Sequence, residues 1–154
     1  MLINDTNLTL CKTTFADIAA AAPLKDVERW DDGWGLDCKT DGPIEVEGMR
    51  FRASFSFEIE DKDDPDDAAR LTEIHLSPVH TDDGFLEDLH DWKDDIFRKY
   101  DCILEDEDDK VPFYRVESAY PDENEDRWRL TMYVNAGSYE TEIGIEVECG
   151  GDAF

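Results

Sequence analysis

The chain has 154 residues, of which 41 are Asp or Glu and 15 are Lys or Arg, giving a formal net charge of −26. A chain of that length buries about two thirds of its unfolded surface, so residues 1–154 read as a single domain with a true core, divided into halves 8–79 and 80–150. The charge works against nucleic-acid phosphates and anionic lipid, where Lys and Arg supply the attraction, and it favours a basic protein partner.

The first residues, Met1 to Asn7, carry neither a basic segment nor an apolar core of the kind that targets a chain for export, and no run approaches the roughly 18 apolar residues of a membrane span. The expectation is a soluble cytoplasmic protein. Cys11, Cys38, Cys102 and Cys149 are scattered without a C-x-x-C pair, which points to reduced, mostly buried thiols and to neither a zinc cage nor a disulfide framework.

Taken in order, Thr13 and Thr14 precede Phe15-Ala16-Asp17-Ile18-Ala19-Ala20-Ala21-Ala22, and Pro23 closes the run. A threonine N-cap, an alanine-rich body and a terminating proline predict a helix of about two turns, with Phe15, Ile18, Ala19 and Ala22 as its apolar face. Residues 27–38 place Trp30 and Trp34 around Asp31-Asp32-Gly33, the signature of a turn or bulge in a strand or hairpin. Residues 49–60 then alternate strictly: Phe51, Ala53, Phe55, Phe57 and Ile59 share one face, and Arg50, Arg52, Ser54, Ser56, Glu58 and Glu60 the other. That period of two predicts a half-buried strand needing an apolar layer on its phenylalanine side. After an acidic loop, residues 71–76 alternate again, with Thr72, Ile74 and Leu76 on one side.

Residues 85–100 carry Phe85, Leu89, Trp92, Ile96 and Tyr100 at helical spacing, with acids in the first turns and Arg98-Lys99 in the last, as the helix dipole favours. Three further strands are expected at 111–120, 127–134 and 141–149. The last two suit a hairpin closed around Gly137. With Trp128 opposite Val147, Leu130 faces Ile145 and Met132 faces Ile143, while Arg127 meets Glu148 and Arg129 meets Glu146 on the outer face; core and charge select one register.

A helix followed by three strands, twice, predicts an α+β protein: two α-β-β-β units forming one curved antiparallel sheet with both helices packed on its apolar face. Residues 8–23, with their threonine pair, short helix and closing proline, followed by hairpins and Leu71-Thr72-Glu73-Ile74-His75-Leu76, resemble the unit of small outer-membrane-assembly lipoproteins. Tandem copies of a similar unit build the β-lactamase inhibitor protein. With no lipidation signal to carry over a membrane role, the resemblance implies a non-catalytic protein-binding scaffold.

The acidic runs invite a calcium reading, which fails by position. An EF-hand loop takes Gly at its sixth residue and Glu at its twelfth; counted from Asp61 these are Asp66 and Thr72, and from Asp122 they are Arg127 and Tyr133. His75, His80 and His90 stand outside any H-x-H, H-E-x-x-H or G-x-S-x-G pattern. No catalytic residue, metal or cofactor is therefore expected.

The acid is distributed unevenly. Arg50, Arg52, Arg115, Arg127 and Arg129 sit on expected strands, whereas the densest acid lies in three runs. The first holds Asp61, Asp63, Asp64, Asp66 and Asp67; the second Glu105, Asp106, Glu107, Asp108 and Asp109; the third Asp122, Glu123, Glu125 and Asp126. Gathered at one end of a sheet, such loops steer a basic partner by their field, and Trp30 and Trp34, flanking Asp31 and Asp32, supply aromatic anchors. Trp92 and Trp128 are expected in the core. The residues thus predict an acidic protein-binding module, of the kind that immunity proteins and antitoxins use to neutralise a basic protein such as a toxin nuclease. Two alternatives compete: a DNA mimic, which needs regular rows of acid along elements and not acid in loops, and salt adaptation of a protein of unrelated function, which 25 Asp and 16 Glu against 7 Lys would suit.

Overall fold

A computed structural model describes residues 1–79, 82–105, 114–121, 126–135 and 140–148. After the two short strands β1 (Leu2–Ile3) and β2 (Thr6–Asn7) come helix α1 (Phe15–Ala21) and strands β3 (Leu24–Arg29), β4 (Gly35–Thr40), β5 (Ile44–Val46), β6 (Met49–Glu58) and β7 (Arg70–Pro78). Helix α2 (Phe85–Lys99) leads into β8 (Cys102–Leu104), β9 (Tyr114–Pro121), β10 (Trp128–Asn135) and β11 (Glu140–Val147). The chain is α+β: two helices and one large, curved, wholly antiparallel sheet in the order β2-β1-β5-β6-β7-β11-β10-β9-β8, with β4 also on β6 and β3 on β4.

Strand β6 organises this sheet because it is long enough to hold two partners on one edge. Its first residues pair with β5 (Ile44↔Phe51, Val46↔Met49) and its last with β4 (Lys39↔Ser54 through Gly35↔Glu58). Between them, on that edge, Ala53 has no strand partner, yet its backbone is satisfied: the buried Thr40 hydroxyl accepts from the Ala53 N–H at 3.1 Å and donates to its carbonyl at 3.3 Å. Buried backbone groups left open would cost about 1–3 kcal/mol each. Phe51, Ala53, Phe55, Phe57 and Ile59 are all buried, as the alternation predicts. Both helices lie over this face, α1 through Phe15 edge-on to Phe57 (5.4 Å between ring centres) and α2 through Trp92 against Phe51 (4.9 Å).

Helix α1 starts where the threonine pair predicts. Thr14 is the N-cap and forms a reciprocal capping box with Asp17, while Thr13 is buried and donates to the Thr9 carbonyl. Ile18 and Ala22 face the core as expected, but Ala19 is exposed. In α2, Phe85, Leu89, Trp92 and Ile96 are buried, and Tyr100 caps the helix and packs edge-on to Trp128 at 5.3 Å. The β10–β11 register is the one selected by core and charge, Trp128↔Val147, Leu130↔Ile145 and Met132↔Ile143, with Arg129 donating to Glu146 at 2.7 Å on the outer face.

Three expectations change. The described residues hold eleven strands where six are expected, because residues 24–40 divide into two strands and β1, β2, β5 and β8 are only two or three residues long, too short to show a period. Five strands stand between the helices and four follow α2, so the ladders do not give two three-stranded halves. In β7, Leu71 and not Thr72 joins Ile74 and Leu76 in the core, because a bulge pairs Phe57 with Leu71 but Ser56 with Glu73. The extra residue leaves Thr72 donating its hydroxyl to the Ser56 carbonyl, and it adds local twist to the sheet. No helix among the described residues is long and apolar enough to cross a membrane.

Candidate protein-binding surface

The β3–β4 hairpin turns through Asp31, Asp32 and Gly33. Gly33 adopts φ +78°, and its N–H donates to the Trp30 carbonyl at 2.9 Å; the Asp32 carboxylate accepts from the Trp34 N–H at 2.9 Å. Such a left-handed position suits glycine. Gly35 is glycine for a different reason: a Cβ there would lie 2.4 Å from the Trp30 ring, which rests on the backbone at that point. Trp30 and Trp34 remain 37% and 44% exposed, so the tip presents large aromatic side chains that the fold leaves partly uncovered.

The first acidic run lies against this tip. The Ile59 N–H donates to the Trp34 carbonyl, and Arg29 reaches across with three bonds: to the Asp66 carboxylate at 2.8 Å, the Asp64 carbonyl at 2.9 Å and the Lys62 carbonyl at 3.2 Å. Inside the loop, Asp61 accepts from the Asp63 N–H, and a short 3-10 turn over Asp66–Ala68 follows Pro65. Lys62 folds back with its ammonium 5.0 Å from the centre of the Trp34 ring. Asp31, Asp32, Asp61, Asp63 and Asp67 are exposed, and Asp64 and Asp66 half-buried. Their charge therefore faces water beside two aromatic rings.

Strand registers place other predicted residues. Gly35↔Glu58, Glu58↔Arg70, Glu73↔Glu146 and Arg129↔Glu146 order the strand ends. The hairpin tip, the 61–67 loop, the end of β9 at Pro121 and the lead into β10 from Asp126 thus lie toward the same end of the sheet. Asp122, Glu123 and Glu125 lie outside the described residues. Asp126 is a correction: only 9% exposed, it accepts from the Cys11 N–H at 3.0 Å and belongs to the interior. Glu105 pairs with Arg129 at 3.6 Å, past the end of β8, which runs away from the tryptophan end of the sheet. Asp106, Glu107, Asp108 and Asp109 lie outside the described residues. Trp92 and Trp128 are core residues, 6% and 0% exposed.

A second acidic feature escapes a reading by runs. Asp88, Asp91 and Asp95, spaced along one side of α2, border with Asp82 a cleft of about 450 Å³ beside Arg50, Phe85 and Trp92. The signal was available as acids at i, i+3 and i+7, a helical period and not a contiguous cluster.

Burial, with Asp37 or Asp101 nearby, pushes the Cys38 and Cys102 thiols up to about 11, so both stay protonated near neutral pH and are weak nucleophiles. Cys149 and His80 lie outside the described residues. His75 is exposed and 3.2 Å from Glu73, and His90 sits 3.4 Å from the Lys93 ammonium. No group of three or more His, Cys, Asp or Glu among the described residues is placed to hold a metal ion. No protein-family model, curated protein or solved structure matches the chain.

Proposed function

We propose that the protein is a non-catalytic cytoplasmic binding module that neutralises a basic protein, in the manner of an immunity protein or antitoxin acting on a toxin nuclease. Trp30 and Trp34, exposed beside Asp61, Asp63 and Asp67 and tied to that loop by Arg29, carry this reading. Exposed tryptophan costs a monomer solubility and is the residue type most often found at the energetic centre of an interface. Acid around it does two things: it accelerates encounter with a cationic surface and pairs with that surface's Lys and Arg once docked. A partner that covers the tip would desolvate the rings and place its own cations among the Asp61–Asp67 carboxylates. The same reading keeps the chain as two helix-led units, one starting at α1 and one at α2, which meet where β7 pairs with β11.

The test is retention of basic proteins from source lysate by the immobilised chain, with Trp34→Ala alongside. The expected result is a basic protein retained at low salt, released as salt rises, and lost on Trp34→Ala at unchanged thermal stability. Truncating a central anchor costs about 2 kcal/mol or more of binding, whereas an exposed position moves folding by roughly 0.5 kcal/mol at most. Retention indifferent to salt, or unaffected by Trp34→Ala, sinks the proposal.

A further inference from the structure

The outer face of the sheet carries a feature of opposite sign. Registers Lys25↔Lys39, Lys39↔Ser54 and Ser54↔His75 set one row of side chains across β3, β4, β6 and β7, and Arg52↔Ser77 sets the next. These six residues line an open groove of about 280 Å³. Directly opposed residues lie about 5 Å apart between Cα atoms and diagonal ones about 7–8 Å, so Lys25, Lys39 and Arg52 are near neighbours.

That placement has a cost the fold does not explain. Like charges directly opposed on a sheet destabilise it, and with 41 acids against 15 bases in the chain, oppositely charged partners are abundant. Yet among the described residues no carboxylate lies within ion-pairing distance of Lys25, Lys39 or Arg52, whereas Arg29, Arg70, Arg98, Lys99 and Arg129 each hold one. The registers place several acids nearby on this face: Asp37, two residues before Lys39 and opposite Glu28; Glu45, opposite Arg50 and diagonal to Arg52; and Glu73, which is bonded to His75. None of these acids is bonded to the three cations, and acids farther away are screened beyond about 8–10 Å at ordinary ionic strength, so the groove gathers three cationic heads that the fold leaves available to a ligand. Ser54 and Ser77 add hydroxyl donors to it.

We propose that this groove binds a small, multiply charged phosphate-bearing anion. Three unpaired cations and two hydroxyls exceed what one carboxylate can use, and they suit the several terminal oxygens and higher charge of a di- or polyphosphate. The site is separate from the tryptophan tip and does not depend on what binds there.

Isothermal titration of the full chain with inorganic pyrophosphate tests it, in magnesium-free buffer at matched ionic strength, with citrate as the carboxylate comparison. The expected result is saturable one-to-one binding, tighter for pyrophosphate than for citrate. Arg52→Gln and Lys39→Gln should each weaken it roughly tenfold, the effect of losing one hydrogen bond to a charged group, while Lys12→Gln, at an exposed cation outside the groove, leaves it unchanged. Amide shifts in the wild-type chain should centre on Ser54, His75 and Ser77, a readout that survives if a variant does not fold. Absence of saturable binding, equal affinity for citrate, equal weakening by Lys12→Gln, or shifts centred elsewhere would overturn the proposal.

Discussion

Strands β4 and β5 pair with the same edge of β6, and the β3–β4 and β5–β6 turns both carry acid, but the two turns use it in opposite ways. In the β5–β6 turn, Glu47 and Gly48 have φ +49° and +84°, a two-residue connection that holds its central residues left-handed, as the twist of a hairpin prefers. The Glu47 side chain is 7% exposed and accepts from the Leu2 N–H at 2.8 Å, from Lys99 at 2.8 Å and from the Tyr100 hydroxyl. One carboxylate thereby ties β1 and the end of α2 to the sheet. In the β3–β4 turn, Asp31 and Asp32 stay exposed, the tryptophans are partly open to water, and Arg29 at the end of β3 reaches out to hold the 61–67 loop against the hairpin. The presence of acid does not distinguish these turns; the donors that converge on Glu47 do.

The largest effect should follow from removing Glu47. Glu47→Ala strips three donors of their acceptor and leaves the Leu2 amide and the Tyr100 hydroxyl half-buried without it, a loss of about 3 kcal/mol. Urea unfolding measures it. A loss under about 1 kcal/mol would mean water replaces the carboxylate and the two turns differ less than their geometry says.

The same group sets a pH dependence. Burial by itself would raise the Glu47 carboxyl, but the bonds from Lys99, Tyr100 and Leu2, with the Lys99 charge, outweigh it and hold the carboxyl below its ordinary 4.5. A depressed carboxylate contributes stability that is fully present above the unfolded value and is lost as pH falls through the folded one. Protonating the remaining acids relieves self-repulsion and acts the other way, so the informative quantity is a difference. The stability gap between the wild-type chain and Glu47→Gln should be flat above about pH 5.5 and shrink below about pH 4.5. A gap independent of pH would place the contribution in packing and not in charge.

How far the sequence foretold each turn follows from the same contrast. Residues 49–60 and the β10–β11 pair are legible because burial and charge repeat every second residue and agree with each other; the register follows from the apolar row Trp128, Leu130 and Met132 matching the same pairing as Arg127 and Arg129. The tryptophan tip is legible as a turn with surface rings, since Asp-Asp-Gly is local chemistry, but what holds it is not, because that depends on the Trp30 ring resting on Gly35 and on a loop some thirty residues away. Glu47 could not be found at all: Leu2, Lys99 and Tyr100 stand 45 to 53 residues from it, and nothing in the Glu47-Gly48 dipeptide names them. Asp126 reads as a loop acid for the same reason, its partner Cys11 lying 115 residues away.

The smallest effect tests whether the tryptophan tip and the acidic loop are one surface. Arg29 and Asp66 are 37% and 44% exposed, so solvent screens the pair, and Arg29→Ala should cost under about 1 kcal/mol of global stability. Its two bonds to backbone carbonyls matter more locally, since they hold residues 62–64 against the hairpin. Amide exchange at Asp63 and Asp64 should therefore rise by roughly tenfold while exchange in β6 stays unchanged, the pattern of a local opening distinct from global unfolding. If the loop's exchange does not move, Ile59 and the internal turn bonds already fix it, and the junction is built into the backbone rather than clamped by Arg29. If exchange in β6 rises as well, Arg29 supports the sheet itself, and the tryptophan tip is then as structural as the Glu47 turn with which it contrasts.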